Sequence, residues 1–180
     1  MDQTIRVVES EGGKVELAAA TIPQRGRHAL LRDPANALFG VLSSSSGDPP
    51  DEQVPIGGIL WVDLFARDVE AMAGFYGKLA PWEITLRQVA EGIEGRMLSA
   101  HGSPRAGIVP VDEESNRSSW VPYVRVDDVQ AALDRAVKGG GFVIVAPDPD
   151  LFDGNLGIFV DPHGAATGVV RYEYATGDEP

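Results

Sequence analysis

One long internal repeat constrains the fold of this chain more than any other feature. When the N-terminal segment is shifted by 128 residues, so that Asp33 falls on Asp161, several turn residues coincide without a gap. The coinciding pairs are Gly12-Gly13 with Gly140-Gly141, Val15 with Val143, Gly26 with Gly154, Asp33-Pro34 with Asp161-Pro162, Ala37 with Ala165 and Gly40-Val41 with Gly168-Val169. An Asp-Pro turn between two apolar runs predicts a β-hairpin in each copy. Residues 1–42 and 129–170 are therefore predicted to be two copies of one unit.

The pattern of apolar residues predicts two complete βαβββ modules after the first copy. A strand at 58–66 is followed by a helix that Asp68 caps and Pro81 ends, and then by strands at 82–89, 95–101 and 105–110. The same order returns as a strand at 120–126, a helix capped by Asp128, and strands at 142–146, 156–160 and 168–172. Residues 1–42 have this order without the first strand. The sequence thus predicts an α+β fold of paired βαβββ modules.

Composition shifts place the predicted boundaries. Residues 1–42 form the partial module, and the Ser-, Pro- and Asp-rich stretch 43–56 is a linker. Residues 57–174 form a domain of two modules, 57–112 and 119–174, which a polar loop starting at Asp112 separates. Residues 175–180 are a frayed tail.

Charge and cysteine content exclude several functions. The formal net charge of −12 disfavours nucleic acids and anionic membranes as partners. The chain has no cysteine, which excludes disulfides and thiol chemistry. Without a long apolar run or a signal-peptide pattern at the N-terminus, we expect a soluble, cytoplasmic protein.

The module order, together with its motifs, resembles the glyoxalase, bleomycin-resistance and extradiol-dioxygenase (vicinal oxygen chelate) superfamily. The motifs are the stretch from Trp61 to Asp68 with Phe75-Tyr76-Gly77, the stretch 123–128, and Asp161-Pro162-His163-Gly164. The chain looks most like bacterial tandem glyoxalase-like proteins, although its N-terminal unit is incomplete. The resemblance implies curved mixed sheets around a cleft that binds a small molecule, often through a divalent metal.

The resemblance also implies where metal ligands would stand. The first-strand position falls on Trp61 in one complete module and on Val121 in the other, and the last-strand position falls on Gly168. The last-strand stretch Ala106-Gly107-Ile108 has no ligand type either. Because divalent cations need oxygen or imidazole donors, we expect no metal cofactor, with a divalent metal as the alternative.

Strand parity and the resemblance together give six candidate ligand-binding residues. Leu60, Val62 and Leu64 are expected to face the helix, as are Val124 and Val126. The candidates on or near the cleft side are Trp61, Asp63, Arg96, His101, Val121 and Tyr123. Trp61 could be a platform for a planar ligand or could simply fill the cleft, and Asp63 could act as a general base.

Three functions stay open from the sequence. The first is a metal-independent protein that binds and sequesters a small hydrophobic or aromatic molecule. The second is a metal-dependent lyase, isomerase or dioxygenase of the same superfamily. The third is an interaction module in which the incomplete unit, with its unpaired sheet edge, forms a homodimer.

Overall fold

The computed structural model describes residues 1–111 and 118–174. It has the α+β fold of βαβββ modules that the sequence predicts. The first module begins with a helix and continues as a sheet of three antiparallel strands in the order β1-β2-β3. Its elements are α1 (Asp2–Ser10), β1 (Lys14–Ile22), β2 (Gly26–Arg32) and β3 (Leu38–Ser44).

The second and third modules each contain all five expected elements. The second consists of β4 (Ile59–Ala66), α2 (Val69–Leu79), β5 (Glu83–Ala90), β6 (Ile93–Ala100) and β7 (Ser103–Pro110). The third consists of β8 (Ser119–Arg125), α3 (Val129–Lys138), β9 (Phe142–Val145), β10 (Leu156–Val160) and β11 (Ala166–Val170). In both modules the last three strands are antiparallel, and the last strand pairs in parallel with the first.

Both predicted helix caps are present. The carboxylate of Asp68 accepts a hydrogen bond from the backbone N–H of Ala71 at 2.8 Å, and that of Asp128 accepts one from Ala131 at 2.9 Å. Each bond satisfies a donor that the first helical turn leaves without a partner. The two aspartates therefore fix where α2 and α3 begin.

The repeat is visible in backbone geometry. Gly12 and Gly140 both end a helix at positive φ, 87° and 92°. A side chain on the next glycine would lie 2.6 Å from a backbone oxygen in either copy, at Gly13 from Arg32 and at Gly141 from Val160. Only glycine fits such a close approach, which explains why these residues recur at the same spacing.

In each complete module the helix covers one face of that module's strands. In the second module this face carries Leu64, Leu98 and Ile108, all fully buried. In the third module Val126, Leu133 and Val169 form the equivalent core, with Val124 packed against it. The faces predicted for Leu64, Val124 and Val126 are thus confirmed.

Contacts divide the chain into two compact units. The first unit joins Met1–Pro50 to Asp63–Trp120, and the second joins Asp51–Val62 to the chain from Val121 onward. Much of the predicted polar loop, 112–117, and the predicted tail, 175–180, lie outside the described residues. None of the described helices is long and apolar enough to cross a membrane.

Candidate functional site

The last strand of the third module carries Gly168 opposite Tyr123 of β8. A methyl group added to Gly168 would overlap the ring of Tyr123. The aromatic ring therefore fills the space into which a last-strand side chain would project. A glutamate at this position would not fit beside Tyr123, which is 4% exposed.

An equivalent arrangement exists in the second module around Gly107. Gly107 of β7 lies opposite Asp63 of β4, and a methyl group added to Gly107 would overlap both the Asp63 carboxylate and the Arg87 guanidinium. Asp63 and Tyr123 each stand five residues before the aspartate that caps the following helix. Glycines at equivalent positions are thus covered by different side chains, by an ion pair in the second module and by an aromatic ring in the third.

The ion pair at Gly107 combines a buried aspartate with a partly exposed arginine. Nη1 of Arg87 donates to Oδ1 of Asp63 at 2.5 Å. The Asp63 side chain is 5% exposed, whereas that of Arg87 is 25% exposed. A guanidinium has five N–H donors in a fixed plane, so one arginine side chain can serve more than one acceptor.

The surroundings of this pair are mixed in polarity. The strand register puts Thr85, Met97 and Gly107 in one row, on the sheet face opposite α2. Phe65, two residues after Asp63, points to the same face and is half-buried. This face of the second module offers a thioether, an aromatic ring, a hydroxyl and the Arg87 guanidinium, which suits an apolar ligand with oxygen substituents.

Two predicted site residues lie away from this face. Arg96 pairs in register with Ile108, on the face that α2 covers, and its guanidinium forms an ion pair with Glu70 of α2. His101 does not end a strand as expected but lies in the two-residue turn between β6 and β7, exposed, with φ at 56°. Their role in ligand binding stays a prediction.

Three further predicted residues belong to the second unit. Val121 and Tyr123 lie on the sheet face opposite α3 and are buried. Trp61, in β4, is half-buried. The sequence analysis did not find Arg87, because no motif links it to Asp63. The equivalence of Asp63 and Tyr123 was available as a signal, because each stands five residues before a helix-capping aspartate.

The residues at the implied ligand positions do not fit a divalent metal. Trp61, Val121 and Gly168 carry no oxygen or imidazole donor on their side chains, and Asp63 is engaged by Arg87. Within the described residues, no group of three or more acidic, His or Cys side chains is arranged to hold a metal ion.

A buried polar network lies elsewhere in the first unit. The Tyr76 hydroxyl donates to Oδ2 of Asp33 at 3.0 Å and accepts from Nε1 of Trp120 at 3.0 Å. Burial raises the pKa of the Asp33 carboxyl, while hydrogen bonds from the Ala37 backbone and Tyr76 oppose that rise. Burial, together with the nearby Asp33 charge, also raises the pKa of Tyr76. Every polar atom of this network has a partner, which indicates a structural role.

The second unit has a shallow surface pocket of about 380 Å³. It is lined by Phe152, Asn155, Arg171, Tyr172 and Glu173. Arg171 donates to Glu173 at 2.5 Å, and both side chains are more than half exposed. An exposed pair of this kind contributes little to stability, and the pocket contains none of the predicted site residues.

The βαβββ order of the second and third modules defines a class of protein that is built from such modules. The chain belongs to the glyoxalase-like domain family, whose model matches residues 60–170.

Two curated relatives are similar to the chain in sequence. It is 29% identical to the anthracycline biosynthesis protein DauV of Streptomyces sp. strain C5, over 97% of this chain and 63% of that protein. It is 36% identical over 114 residues to the putative glyoxylase CFP32 of Mycobacterium tuberculosis, which covers 61% of this chain and 43% of the relative. The chain therefore spans less than two thirds of the length of these relatives.

Among solved structures, the Mn(II)-bound glyoxalase from Novosphingobium aromaticivorans is similar in fold. The match has a TM-score of 0.54 at 22% identity, over 94% of this chain and 58% of the other. Similarity at this level of identity shows the fold alone.

Proposed function

We propose that this chain binds a planar aromatic small molecule without a divalent metal and sequesters it without converting it. The observation that carries this proposal is the filling of the last-strand ligand position. Tyr123 covers Gly168, and the Asp63–Arg87 pair covers Gly107. The resemblance implies a coordinating side chain at the last-strand position, which falls on Gly168. Neither arrangement leaves room there for a longer coordinating residue.

The ligand class follows from the face of the second module that carries Arg87. Phe65 and Met97 supply apolar contact with a flat ring, and the Arg87 side chain, which is 25% exposed, supplies a positive charge near keto or phenolic oxygens. The name of the relative DauV supports the same class, because anthracyclines are polycyclic aromatic compounds with keto and hydroxyl groups. Trp61 stays a predicted aromatic contact in the second unit.

The proposal is tested by titrating an anthraquinone probe, 1,8-dihydroxyanthraquinone, into protein treated with EDTA. We expect saturable quenching of tryptophan fluorescence and a probe that is recovered unchanged. At a probe concentration of about 100 times the Kd, binding should stabilise the native state by about 2.7 kcal/mol, visible as a higher Tm. Binding that requires an added metal, or no saturable binding, would contradict the proposal.

A matched pair of variants tests the contact residue. Arg87→Lys keeps a positive charge beside Asp63 but loses the planar set of donors, so we expect probe affinity to fall about tenfold. Arg96→Lys makes the same chemical change on the helix-covered face and should leave the affinity unchanged. The opposite order of effects would move the site to Arg96.

A second candidate is a metal-dependent enzyme of the glyoxalase type. The likeness to the putative glyoxylase CFP32 favours it. Metal analysis of protein purified without an affinity tag separates the two candidates. Stoichiometric Zn²⁺, Ni²⁺, Mn²⁺ or Fe²⁺ would support the enzyme, and its ligands would then have to differ from the three positions at Trp61, Val121 and Gly168.

A further inference from the structure

The connection between β9 and β10 is longer than the fold requires. In the first and second modules the equivalent connections are the short turns 23–25 and 91–92, whereas residues 146–155 connect the two strands in the third module. Part of this longer connection has an unfavourable backbone conformation. Phe152 and Asp153 have φ values of 53° and 52°, and Gly154 follows at 75°. The left-handed region is unfavourable for a residue with a side chain as bulky as that of phenylalanine.

Burial of the phenylalanine ring does not explain this conformation, because Phe152 is 51% exposed. Backbone hydrogen bonds hold the turn in place. The N–H of Asn155 donates to the carbonyl oxygen of Phe152 at 2.9 Å, and the N–H of Arg171 donates to that of Asn155 at 2.9 Å. The strained turn is thus tied to the residues that follow β11. Strain that the surrounding structure maintains in this way is concentrated at sites that bind ligands or carry out chemistry.

The strained turn borders the surface pocket of the second unit. The pocket volume of about 380 Å³ lies in the range of small-molecule sites. Phe152 and Tyr172 both line the pocket, and both are exposed enough to stack on a flat ring. Stacking on aromatic side chains is a common way in which proteins hold a single nucleic-acid base.

The charged residues of the pocket provide hydrogen-bond donors beside acceptors. Nη2 of Arg171 donates to Oε1 of Glu173 at 2.5 Å. Within the part of the chain that the structure describes, the other side-chain nitrogens of Arg171 and Oε2 of Glu173 have no partner. A guanidinium only donates, and an ionised carboxylate only accepts. The pair is therefore complementary to a planar ring edge on which a carbonyl oxygen stands beside an N–H group.

We propose that this pocket binds the base of a guanine nucleoside. Guanine presents its O6 acceptor beside the N1–H and N2–H donors, so Arg171 donates to O6 and Glu173 accepts from the two N–H groups. The flat base stacks on the aromatic side chains of the pocket. The nucleoside is preferred to a nucleotide, because the adjoining stretch 148–153 contains three aspartates and the chain has a net charge of −12, which repel phosphate groups.

The probe is guanosine, titrated into the isotope-labelled full chain while the backbone amide signals are followed by NMR. We expect saturable shifts at residues 152–155 and 171–173. 1-Methylguanosine carries a methyl group in place of the N1–H, so Glu173 loses one hydrogen bond, and we expect at least about tenfold weaker binding. Adenosine, which has no O6 acceptor and no N1–H, should also bind at least about tenfold more weakly.

A matched pair of variants tests the role of the carboxylate. Glu173→Gln keeps the size of the side chain but removes its charge and one acceptor oxygen, so we expect guanosine to bind at least about tenfold more weakly. Glu91→Gln makes the same change at an exposed glutamate in the turn between β5 and β6, and should leave the affinity unchanged.

Phe152→Asn separates ligand binding from a structural role of the strained turn. Asparagine tolerates the left-handed region better than phenylalanine does, so the urea midpoint of unfolding should stay the same or rise. Guanosine should nevertheless bind at least about tenfold more weakly, because the ring that stacks on the base is lost. A lower urea midpoint with unchanged guanosine affinity would show that Phe152 is only structural and would overturn its part in the site.

Three further outcomes would overturn the proposal. The first is the absence of saturable binding of guanosine. The second is equal affinity for guanosine, 1-methylguanosine and adenosine, because the edge of the base would then not be recognised. The third is binding that shifts signals elsewhere in the chain and leaves those of 152–155 and 171–173 unchanged.

Discussion

At the residue scale, three glycines at equivalent strand positions differ in what surrounds them. Gly107 is covered by an ion pair, Gly168 by a tyrosine ring, and Gly40 by no side chain. None of the three requires a positive φ, so a substitution reports on space and not on backbone strain. The chain therefore contains its own control for the effect of a Cβ atom at this position.

We predict that Gly168→Ala destabilises the fold by about 3 kcal/mol, since the added methyl displaces a buried ring. Gly40→Ala should be neutral or stabilise by up to about 1 kcal/mol, because alanine restricts the unfolded chain more than glycine does. Urea denaturation measures both changes. Combining Gly168→Ala with Tyr123→Leu should cost less than the sum of the two single changes, with a coupling of about 1 kcal/mol or more. Equal effects of the Gly168 and Gly40 substitutions would show that Tyr123 does not fill the space.

The two Asp-Pro turns place equivalent aspartates in opposite environments. Asp33 is buried and its pKa is raised, first by desolvation. Asp161 is only partly buried and its pKa is lowered, first by the hydrogen bond from the Ala165 backbone and next by that from His163. In both turns the aspartate accepts a hydrogen bond from the backbone N–H four residues later, at Ala37 or Ala165. The pKa of the aspartate nevertheless shifts in opposite directions, because only Asp33 is enclosed by Tyr76 and its aromatic neighbours.

This difference predicts opposite pH dependences for two matched substitutions. Because the pKa of Asp33 is raised in the native state, the native state stays protonated at this carboxyl at pH values where the unfolded chain has lost the proton. The contribution of Asp33 to stability therefore falls as pH rises from 3.8, the usual carboxyl value, to the raised value of the folded protein. Asp161 contributes stability that is present above 3.8 and lost as pH falls through its lowered pKa.

Relative to the unsubstituted chain, Asp33→Asn should therefore become more favourable as pH rises, and Asp161→Asn less favourable. Urea midpoints measured from pH 3 to pH 7 check both trends. Parallel curves for the two variants would contradict the assignment.

At the element scale, α2 and α3 are each capped at the N-terminus by one aspartate side chain. The Asp128 carboxylate satisfies the backbone N–H of Ala131, so we predict that Asp128→Ala destabilises the fold by about 1 kcal/mol. Asp127→Ala removes the same charge one residue earlier and is the matched control, expected to change stability by less than about 0.5 kcal/mol. Thermal denaturation of both variants gives the comparison. Equal losses would mean that charge, and not capping, determines the effect.

Local signals made most elements predictable from the sequence. The caps Asp68 and Asp128, the alternation around Leu64 and Val124 and the glycines that end helices each act over a few residues, so a periodicity argument can find them. The hairpin at His101 shows the limit: its two residues both take positive φ, 56° and 76°, and the strand ends one residue earlier than predicted. Gly102 was the available signal, since a glycine in the second place favours this turn type.

The candidate site was less predictable, because it depends on pairs that no local pattern links. Asp63 was expected to face away from the helix, and it does, but its partner Arg87 lies 24 residues away on another strand. Arg96 looked equally suitable by residue type, yet the register places it on the α2 side with Glu70. Strand register is set by turns and packing over the whole sheet, so it could not be obtained from residue spacing.

At the scale of the whole molecule, the N-terminal module shares a compact unit with the second module. Phe39 of β3 packs edge-to-face against Phe75 and Tyr76 of α2, with ring centroids 6.2 and 5.4 Å apart. Tyr76 also makes its hydrogen bond to Asp33 across 43 residues of sequence. These contacts are apolar or buried, and such contacts contribute more to stability than surface ion pairs do.

The whole-molecule prediction concerns a truncated chain, 51–180. Removing residues 1–50 deprives the Tyr76 hydroxyl of its acceptor, at a cost of about 1–3 kcal/mol, and removes Phe39 from the ring cluster, at a cost of about 1.5–3 kcal/mol. We therefore expect the truncated chain to unfold at a clearly lower urea concentration and to show altered fluorescence from Trp120, whose indole N–H bonds to Tyr76.

Tyr76→Phe in the full chain is the control for that truncation, because it removes the hydroxyl and leaves Phe39 in place. Its stability should lie between those of the full and truncated chains. If 51–180 were as stable as the full chain, the domain predicted at 57–174 would be independent of the first module. The aromatic cluster would then be a contact that forms between two separately stable parts, and not a shared core.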